Sequence, residues 1–359
     1  MPETKKKKAA KPAKKVKPKM VNLALQGGGA HGAFSWGVLD KLSEDGRLEI
    51  DGITATSAGA MNAAVYSYGK MKHGLDGARE ALHDFWLDIS KVGQRNSPIK
   101  PMFWEQFLGG AESLDQTMAY HWFENFTKMF SPYEFNPLNF NPLRNVLADH
   151  VDFEEINACQ CTNMFICATN VRTNKIRIFR NDEVNCDAVL ASACLPMLFQ
   201  AVEIDGEAYW DGGYMGNPAL YPLVYDTDTD DIIILHVNPI ERDTVPKTSQ
   251  AIFNRINEIS FNSSLLREMR SISFVKNMVE EGWIKDEFLH EFQFANLHLH
   301  SIRADEITSS YSVASKFSPD WHFLCRLRDE GRRVTEEWLE KNYDAIGNRS
   351  TVDLKHEFQ

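Results

Sequence analysis

The sequence predicts an α/β fold with a mostly parallel central sheet and helices on both faces. Three observations carry it. Val21–Gln26 is a short apolar strand ending in a glycine turn, and Leu48–Thr56 is a second strand, interrupted by Asp51-Gly52. Helical patterns alternate with them: Ala30–Ser43, then the small-residue run SAGAMNAAVYSYG from Ser57, which must pack close to the sheet. Strand–helix alternation within ~35 residues favours crossover connections and parallel pairing.

The chain's 359 residues can bury a sizeable core, and 43% hydrophobic with 25% charged residues is an ordinary globular composition. The net charge of −11 is unevenly spread. Residues 1–20 hold nine lysines and one glutamate, net +8, which leaves −19 on the remainder. A lysine run with alanine and proline cannot bury enough apolar area to fold, so residues 1–20 are expected to be a disordered arm. It is either a solubility tail or a peripheral contact for an anionic membrane or granule surface. With no aromatic residue to stack on bases, specific nucleic-acid binding is not expected.

No apolar run is long enough to span a bilayer, and the apolar stretch after the arm breaks at once into glycines, which argues against a signal peptide. The expected location is cytoplasmic or membrane-peripheral. The six cysteines (Cys159, Cys161, Cys167, Cys186, Cys194, Cys325) include no C-x-x-C pair. Zinc and thioredoxin-like chemistry are therefore not expected, and buried reduced thiols are.

The elements follow in order. In the first helix Phe34, Val38, Leu39 and Leu42 face inward. Residues 101–142 contain eleven aromatics and four prolines, more than twice the 11% aromatic content of the chain. They read as a lid or cap over an apolar cleft, or as an ordinary core subdomain. Asn163–Thr169, Arg177–Arg180 and Asp231–Val237 read as strands. Residues 250–282 form an amphipathic helical pattern with Ile252, Ile256, Ile259, Leu266 and Met269 among its apolar positions. Asn296–Ile302 reads as a last strand and Trp321–Asn342 as a closing helix. The expected division is an arm (1–20), one main domain (21–345) with a helical C-terminal extension (245–345), and a tail (346–359). No internal repeat is evident.

Three short blocks carry the chemistry. Gly27, Gly29 and Gly32 in LALQGGGAHGAF have the G-x-G-x-x-G spacing of a dinucleotide turn, with Glu49 and Asp51 near the position expected of a ribose-binding acid. The same glycines could instead aim bare amides at an oxygen that becomes negative during ester hydrolysis. In ATSAGA, Ser57 stands at a strand-to-helix turn, where a hydroxyl is raised above the sheet edge. Ala55 occupies the first small position of that G-x-S-x-G-like elbow, and Gly59 the last. In YWDGGYMGNPAL, Asp211 is followed by Gly212 and Gly213, which permit a positive-φ turn holding the carboxylate out of a loop. Only the hydrolase reading uses all three blocks.

Together and in this order, GGGAHG, ATSAG and DGG resemble the motif blocks of the patatin-like phospholipases, over residues 21–220. The resemblance implies a three-layer patatin-like fold and a serine–aspartate dyad, with Ser57 as nucleophile and Asp211 as base. It also implies an oxyanion hole at the amides of Gly27, Gly28 and Gly29, and no cofactor. Two positions depart from the family pattern: Ala55 replaces a glycine, and His31 replaces an arginine or lysine. A charge that titrates near neutrality is therefore expected beside the hole.

The implied activity is lipid acyl hydrolysis of the phospholipase A or carboxylesterase type. A glyceride or hydroxyacid polyester is the alternative substrate, and a nucleotide-binding oxidoreductase or a non-enzymatic scaffold the alternative class. His236, at the end of DIIILHV, could turn the dyad into a triad, although a structural role at a strand end is the preferred reading. His298 and His300 could place two imidazoles on one strand face, but no third ligand is evident, so no metal is expected.

Overall fold

The computed structural model describes residues 17–96, 118–159, 161–284 and 293–358. Eight strands build one sheet: β1 Lys19–Leu25, β2 Leu48–Ala55, β3 Asn163–Asn170, β4 Ile176–Arg180, β5 Val202–Ile204, β6 Glu207–Asp211, β7 Asp231–His236 and β8 His298–Arg303. Their order is β5-β6-β3-β2-β1-β7-β8, with β4 also paired to β3. The pairs β1–β2, β1–β7, β2–β3 and β7–β8 are parallel. β3–β4, β3–β6 and β5–β6 are antiparallel.

Side-chain alternation along the central strands builds two cores. In β1, Leu23 and Leu25 enter one core and Ala24 the other; in β7, Ile233 and Leu235 divide from Ile232 and Ile234 in the same way. That period-2 pattern, apolar on both faces, is what a strand covered by helices on both sides requires. Among the helices are α1 Gly32–Asp45, α2 Ala58–Asn96, α3 Met118–Met129, α4 Pro142–His150, α5 Cys186–Ser192, α6 Tyr221–Asp226, α7 Ser249–Glu280 and α8 Trp321–Asn342. α1, α2, α4, α5 and α8 supply the first core; α6 and α7 supply the second. The architecture is three-layered.

Several expectations change on this scaffold. The lysine-rich stretch gives way to sheet before its end: Lys19 and Met20 already belong to β1, and Lys19 Nζ donates to the carbonyls of Tyr343 and Ile346. Residues 1–16 of the arm lie outside the described residues, as does the first part of the aromatic stretch, residues 101–117, with Phe103, Trp104 and Phe107. Helix α2 is two helical segments joined where His73 and Gly74 leave helical backbone angles. The C-terminal extension is not only helical, since β8 extends the sheet beside β7. Cys167 and Cys194 are buried free thiols, as expected, but Cys159 and Cys161 form a disulfide at the surface. In α7 the buried apolar positions are Leu265, Met269 and Ile272, whereas Ile252, Ile256 and Ile259 are exposed.

Candidate active site

One edge of β3 is shared by two strands. Gly52–Ala55 of β2 pair with Asn163–Ile166, while Asp211, Trp210 and Tyr209 of β6 pair with Ala168, Thr169 and Asn170. β4 pairs along Phe165–Thr169 and overlaps both stretches, so it occupies the opposite edge. β2 and β6 therefore point at each other along one line and stop on either side of Cys167. Ser57 follows the end of β2 by two residues, and Asp211 is the last residue of β6.

Ser57 has φ 55. The other non-glycine residues with positive φ among the described residues are three asparagines and an aspartate, types that tolerate left-handed backbone. A serine held there costs about 1–2 kcal/mol and persists only if its surroundings over-determine it. They do. Its amide donates to Ser192 Oγ at 2.8 Å and its carbonyl accepts from the Met61 amide at 3.1 Å. Ala55 is fully buried in register with Ile166, so the methyl that replaces a glycine fills core space rather than the site. A Cβ on Gly59 would lie 2.5 Å from the Leu25 carbonyl oxygen, which fixes how closely α2 approaches β1.

Asp211 is almost fully buried. Its Oδ1 accepts from the Gly213 amide at 2.7 Å, and its Oδ2 is buried without a hydrogen bond of ordinary length. The Ser57 hydroxyl faces the carboxylate closely enough to help hold its pKa down. Burial dominates nonetheless and lifts that pKa from 3.8 to about 7, against the Gly213 amide, Ser57 and Lys316. The two glycines after Asp211 do not adopt positive φ, contrary to expectation. They serve close approach: a Cβ on Gly212 would lie 2.1 Å from the Cys167 carbonyl oxygen, and one on Gly213 would lie 2.3 Å from the Phe261 ring.

The glycine turn abuts the serine. A Cβ on Gly27 would lie 2.6 Å from Ser57 Cβ, so only glycine fits. The Gly27 amide, however, donates to Asn217 Oδ1 at 2.7 Å. This corrects the expectation that all three glycines offer free amides: Gly28 and Gly29 make no amide hydrogen bond to any described residue, and Gly27 does. Gly29 has φ 58, and Gly32 opens α1 with its Cα against Ala58.

His31 also departs from expectation. It is buried, and its pKa falls well below 6.5, through burial first and then through the charges of Lys316 and Arg242. It is neutral at physiological pH rather than titrating near it. His236 is no third member of the pair. Its Nε2 meets Ser301 Oγ at 3.2 Å, and burial lowers its pKa to about 3. His298 and His300 both turn to Asp231, at 3.5 and 2.9 Å, and no metal-binding group of three or more His, Cys, Asp or Glu occurs among the described residues.

The dinucleotide alternative fails on geometry. Asp51 sits in the middle of β2, away from the glycine turn at the strands' C-terminal ends, and its carboxylate accepts from the Asp228 amide at 2.8 Å. The end of β2 carries Thr56 and Ser57 instead of an acid. Three polar supports were not singled out for any role from sequence: Ser192 under the serine, Asn217 on Gly27, and Asn238, whose Nδ2 donates to the Gly27 carbonyl at 2.7 Å. Only Asn217, within the aspartate block, lay near a recognisable motif.

The family model described as patatin-like phospholipase matches residues 23–224. No curated protein sequence matches the chain. Among solved structures the chain is similar to VipD from Legionella pneumophila, at 16% identity and TM-score 0.40, covering 90% of this chain and 67% of that one. It is also similar to a chain of the heterodimeric ExoU–SpcU complex from the type III secretion system of Pseudomonas aeruginosa, at 15% identity and TM-score 0.39. That match covers 91% of this chain and 52% of the other, so this chain spans about half its length.

Proposed function

The chain belongs to the patatin-like phospholipase family, and from that premise we propose that it hydrolyses lipid acyl esters through an acyl-serine intermediate on Ser57, with Asp211 as the base. One observation supports this most: a serine at φ 55 faces a buried carboxylate, beside two glycine amides that bond to nothing described.

The chemistry follows. Asp211 takes the hydroxyl proton as Ser57 Oγ attacks the ester carbonyl. The carbonyl oxygen becomes an oxyanion facing the Gly28 and Gly29 amides. Collapse expels the alcohol, which takes the proton from Asp211. Water then attacks the acyl-serine as Asp211 accepts its proton; collapse breaks the bond between the acyl carbon and Ser57 Oγ, the proton passes from Asp211 to Ser57 Oγ, and the fatty acid leaves. A positioned base contributes about 10²–10⁴-fold and each oxyanion donor ~10²–10³. Burial makes Asp211 a stronger base than an exposed aspartate, which narrows the gap to the alcohol it must deprotonate.

A lipid substrate fits the surface beside the site. Trp122 and Phe126 stack on α3 at 5.2 Å between ring centres, and Phe130, just past its end, is tilted against Phe126 at 5.1 Å. Met129 at the end of α3, and Tyr133, Leu138 and Phe140 beyond it, are exposed, and Tyr133 Oη accepts from the Ala201 amide near the start of β5. On α7, Phe253 is exposed with Lys128 Nζ 5.2 Å from its ring centre. A large exposed apolar surface of this kind marks an interaction face. No helix among the described residues is long and apolar enough to cross a membrane. Peripheral contact with a lipid surface is the arrangement we propose.

The test is a lipid extract profiled before and after incubation with wild type, Ser57→Ala and Asp211→Asn, together with fluorophosphonate labelling. Wild type is expected to release fatty acids and to be labelled at Ser57, and both variants to lose turnover at least ~10³-fold while still folding. A Ser57→Ala protein that still cleaves esters would refute the assignment.

A further inference from the structure

The short helical turn Val313–Phe317 lies across the glycine turn. Ser315 Oγ donates to the Ser312 carbonyl at 2.7 Å, so its contact with His31 Nε2 at 2.7 Å makes the hydroxyl the acceptor. The imidazole proton is then on Nε2, and buried Nδ1 has no partner. His31 is thus a neutral wedge that brings no charge. The next residue is seated on the turn itself: a Cβ on Gly29 would lie 2.4 Å from the Lys316 carbonyl oxygen.

The Lys316 side chain reaches the same turn by another route. Its Nζ donates to Asn238 Oδ1 at 2.6 Å. Asn238 Nδ2 donates in turn to the Gly27 carbonyl at 2.7 Å, and its amide donates to Gln26 Oε1 at 3.1 Å. Two hydrogen bonds therefore connect the ammonium to the Gly27–Gly28 peptide, which carries the first of the two unengaged amides.

Charge balance gives this connection a purpose. When the carbonyl oxygen becomes an oxyanion, negative charge forms in a dry site. Arg242, the other cation near His31, is committed to Glu258 at 2.6 Å and to the Ser309 carbonyl. Lys316 makes no ion pair with any described residue, yet its charge is felt at both Asp211 and His31. We propose that Lys316 is a positioning residue for acyl transfer, locking Asn238 and the glycine turn in donor geometry and supplying the positive charge that offsets the oxyanion. This rests on the hydrolase reading above, and it places part of the site outside residues 23–224, which the family model matches.

The groups around that ammonium set its working range. Burial lowers the Lys316 pKa to about 8; Glu258 raises it, Arg242 lowers it and Asp211 raises it, while His31 beside it is neutral. The charge is therefore lost on the alkaline side of neutrality.

The experiment measures kcat and KM of the full chain on a soluble p-nitrophenyl ester for Lys316→Met, Lys316→Arg and Asn238→Ala. Lys316→Met is expected to lower kcat at least ~10-fold with KM changed less than ~3-fold, since one oxyanion donor is worth more than that. Lys316→Arg should recover most of kcat and extend activity to higher pH, because arginine stays charged. A wild-type kcat in Lys316→Met, or an arginine variant as impaired as the methionine one, overturns the proposal. If Lys316→Met does not fold, Asn238→Ala reads the same connection, with a kcat loss expected and a wild-type kcat overturning it. Wild-type turnover and Ser57 labelling are recorded in parallel. Their absence would defeat the hydrolase reading itself, whereas their presence with an indifferent Lys316 defeats only this inference.

Discussion

A carboxylate proposed to take a proton from an alcohol is the stronger base for being dry, and dryness has a thermodynamic signature. At Asp211, burial lifts the pKa from 3.8 to about 7. Below about pH 4 the folded and unfolded chains both hold the proton. Between there and about 7 the folded chain keeps a proton that the unfolded chain has released, so stability falls as pH rises through this window. Asp211→Asn removes the titration. It should melt several degrees above wild type at pH 8 and close to it at pH 4, a gain of at most the order of 4 kcal/mol at about 1.4 kcal/mol per pH unit. In wild type, kcat/KM should rise with pH to a plateau above about 7 as the base is freed. A flat profile from pH 5 to 8, with no stability gain in the asparagine variant, would remove Asp211 from the role of base. At this scale the sequence announced residue types but not their bonds. Ser57, Asp211 and the glycines were legible because each motif is local. The engagement of the Gly27 amide was not, because its partner, Asn217, lies 190 positions away.

Among the elements, α8 was legible to the residue, because its Asp320 cap and its periodic apolar face agree; Asp320 accepts from the Phe323 amide at 2.8 Å. In α7 the same kind of pattern pointed the wrong way over its first half. Ile252, Phe253, Ile256 and Ile259 are between 43% and 54% exposed, whereas the sheet covers Leu265, Met269 and Ile272. Periodicity locates an apolar face without saying what covers it. Exchanging Ile256 and Ile259 for glutamine should therefore leave the melting temperature almost unchanged, since exposed positions away from a core usually shift stability by less than about 0.5 kcal/mol. Hydrolysis of phospholipid vesicles should fall several-fold, while cleavage of a soluble ester stays at the wild-type rate. Equal loss on both substrates would sink the idea that this face meets lipid.

Over the whole molecule, the last strand is tied to the end of the chain by one buried carboxylate. Asp231 at the start of β7 accepts from His300 Nε2 at 2.9 Å and from the Gly347 amide at 2.8 Å. Burial pushes its pKa up, but these bonds outweigh burial and hold it below the usual value, so their stabilisation is present above the carboxyl range and lost in acid. Asp231→Ala should lower stability by about 3 kcal/mol, the cost of stranding buried partners, with kcat of the folded protein unchanged. A melt showing no shift would contradict that reading.

The parallel core of the sheet could be read from strand–helix alternation. The hairpin of β5 and β6 could not: Val202–Ile204 is only three residues long, and Asp211 read as part of a loop. Yet that hairpin completes the alignment on β3. Ser57 and Asp211 hang from a single rail, so their separation is gauged by the few residues around Cys167 rather than by the 154 positions of chain between them. Such a design is indifferent to the size of what intervenes. Segments added at the exposed turn after β3, near Asn174, could lengthen the protein greatly and leave Ser57 and Asp211 where they stand, which gives the fold room to acquire new appendages without moving either residue.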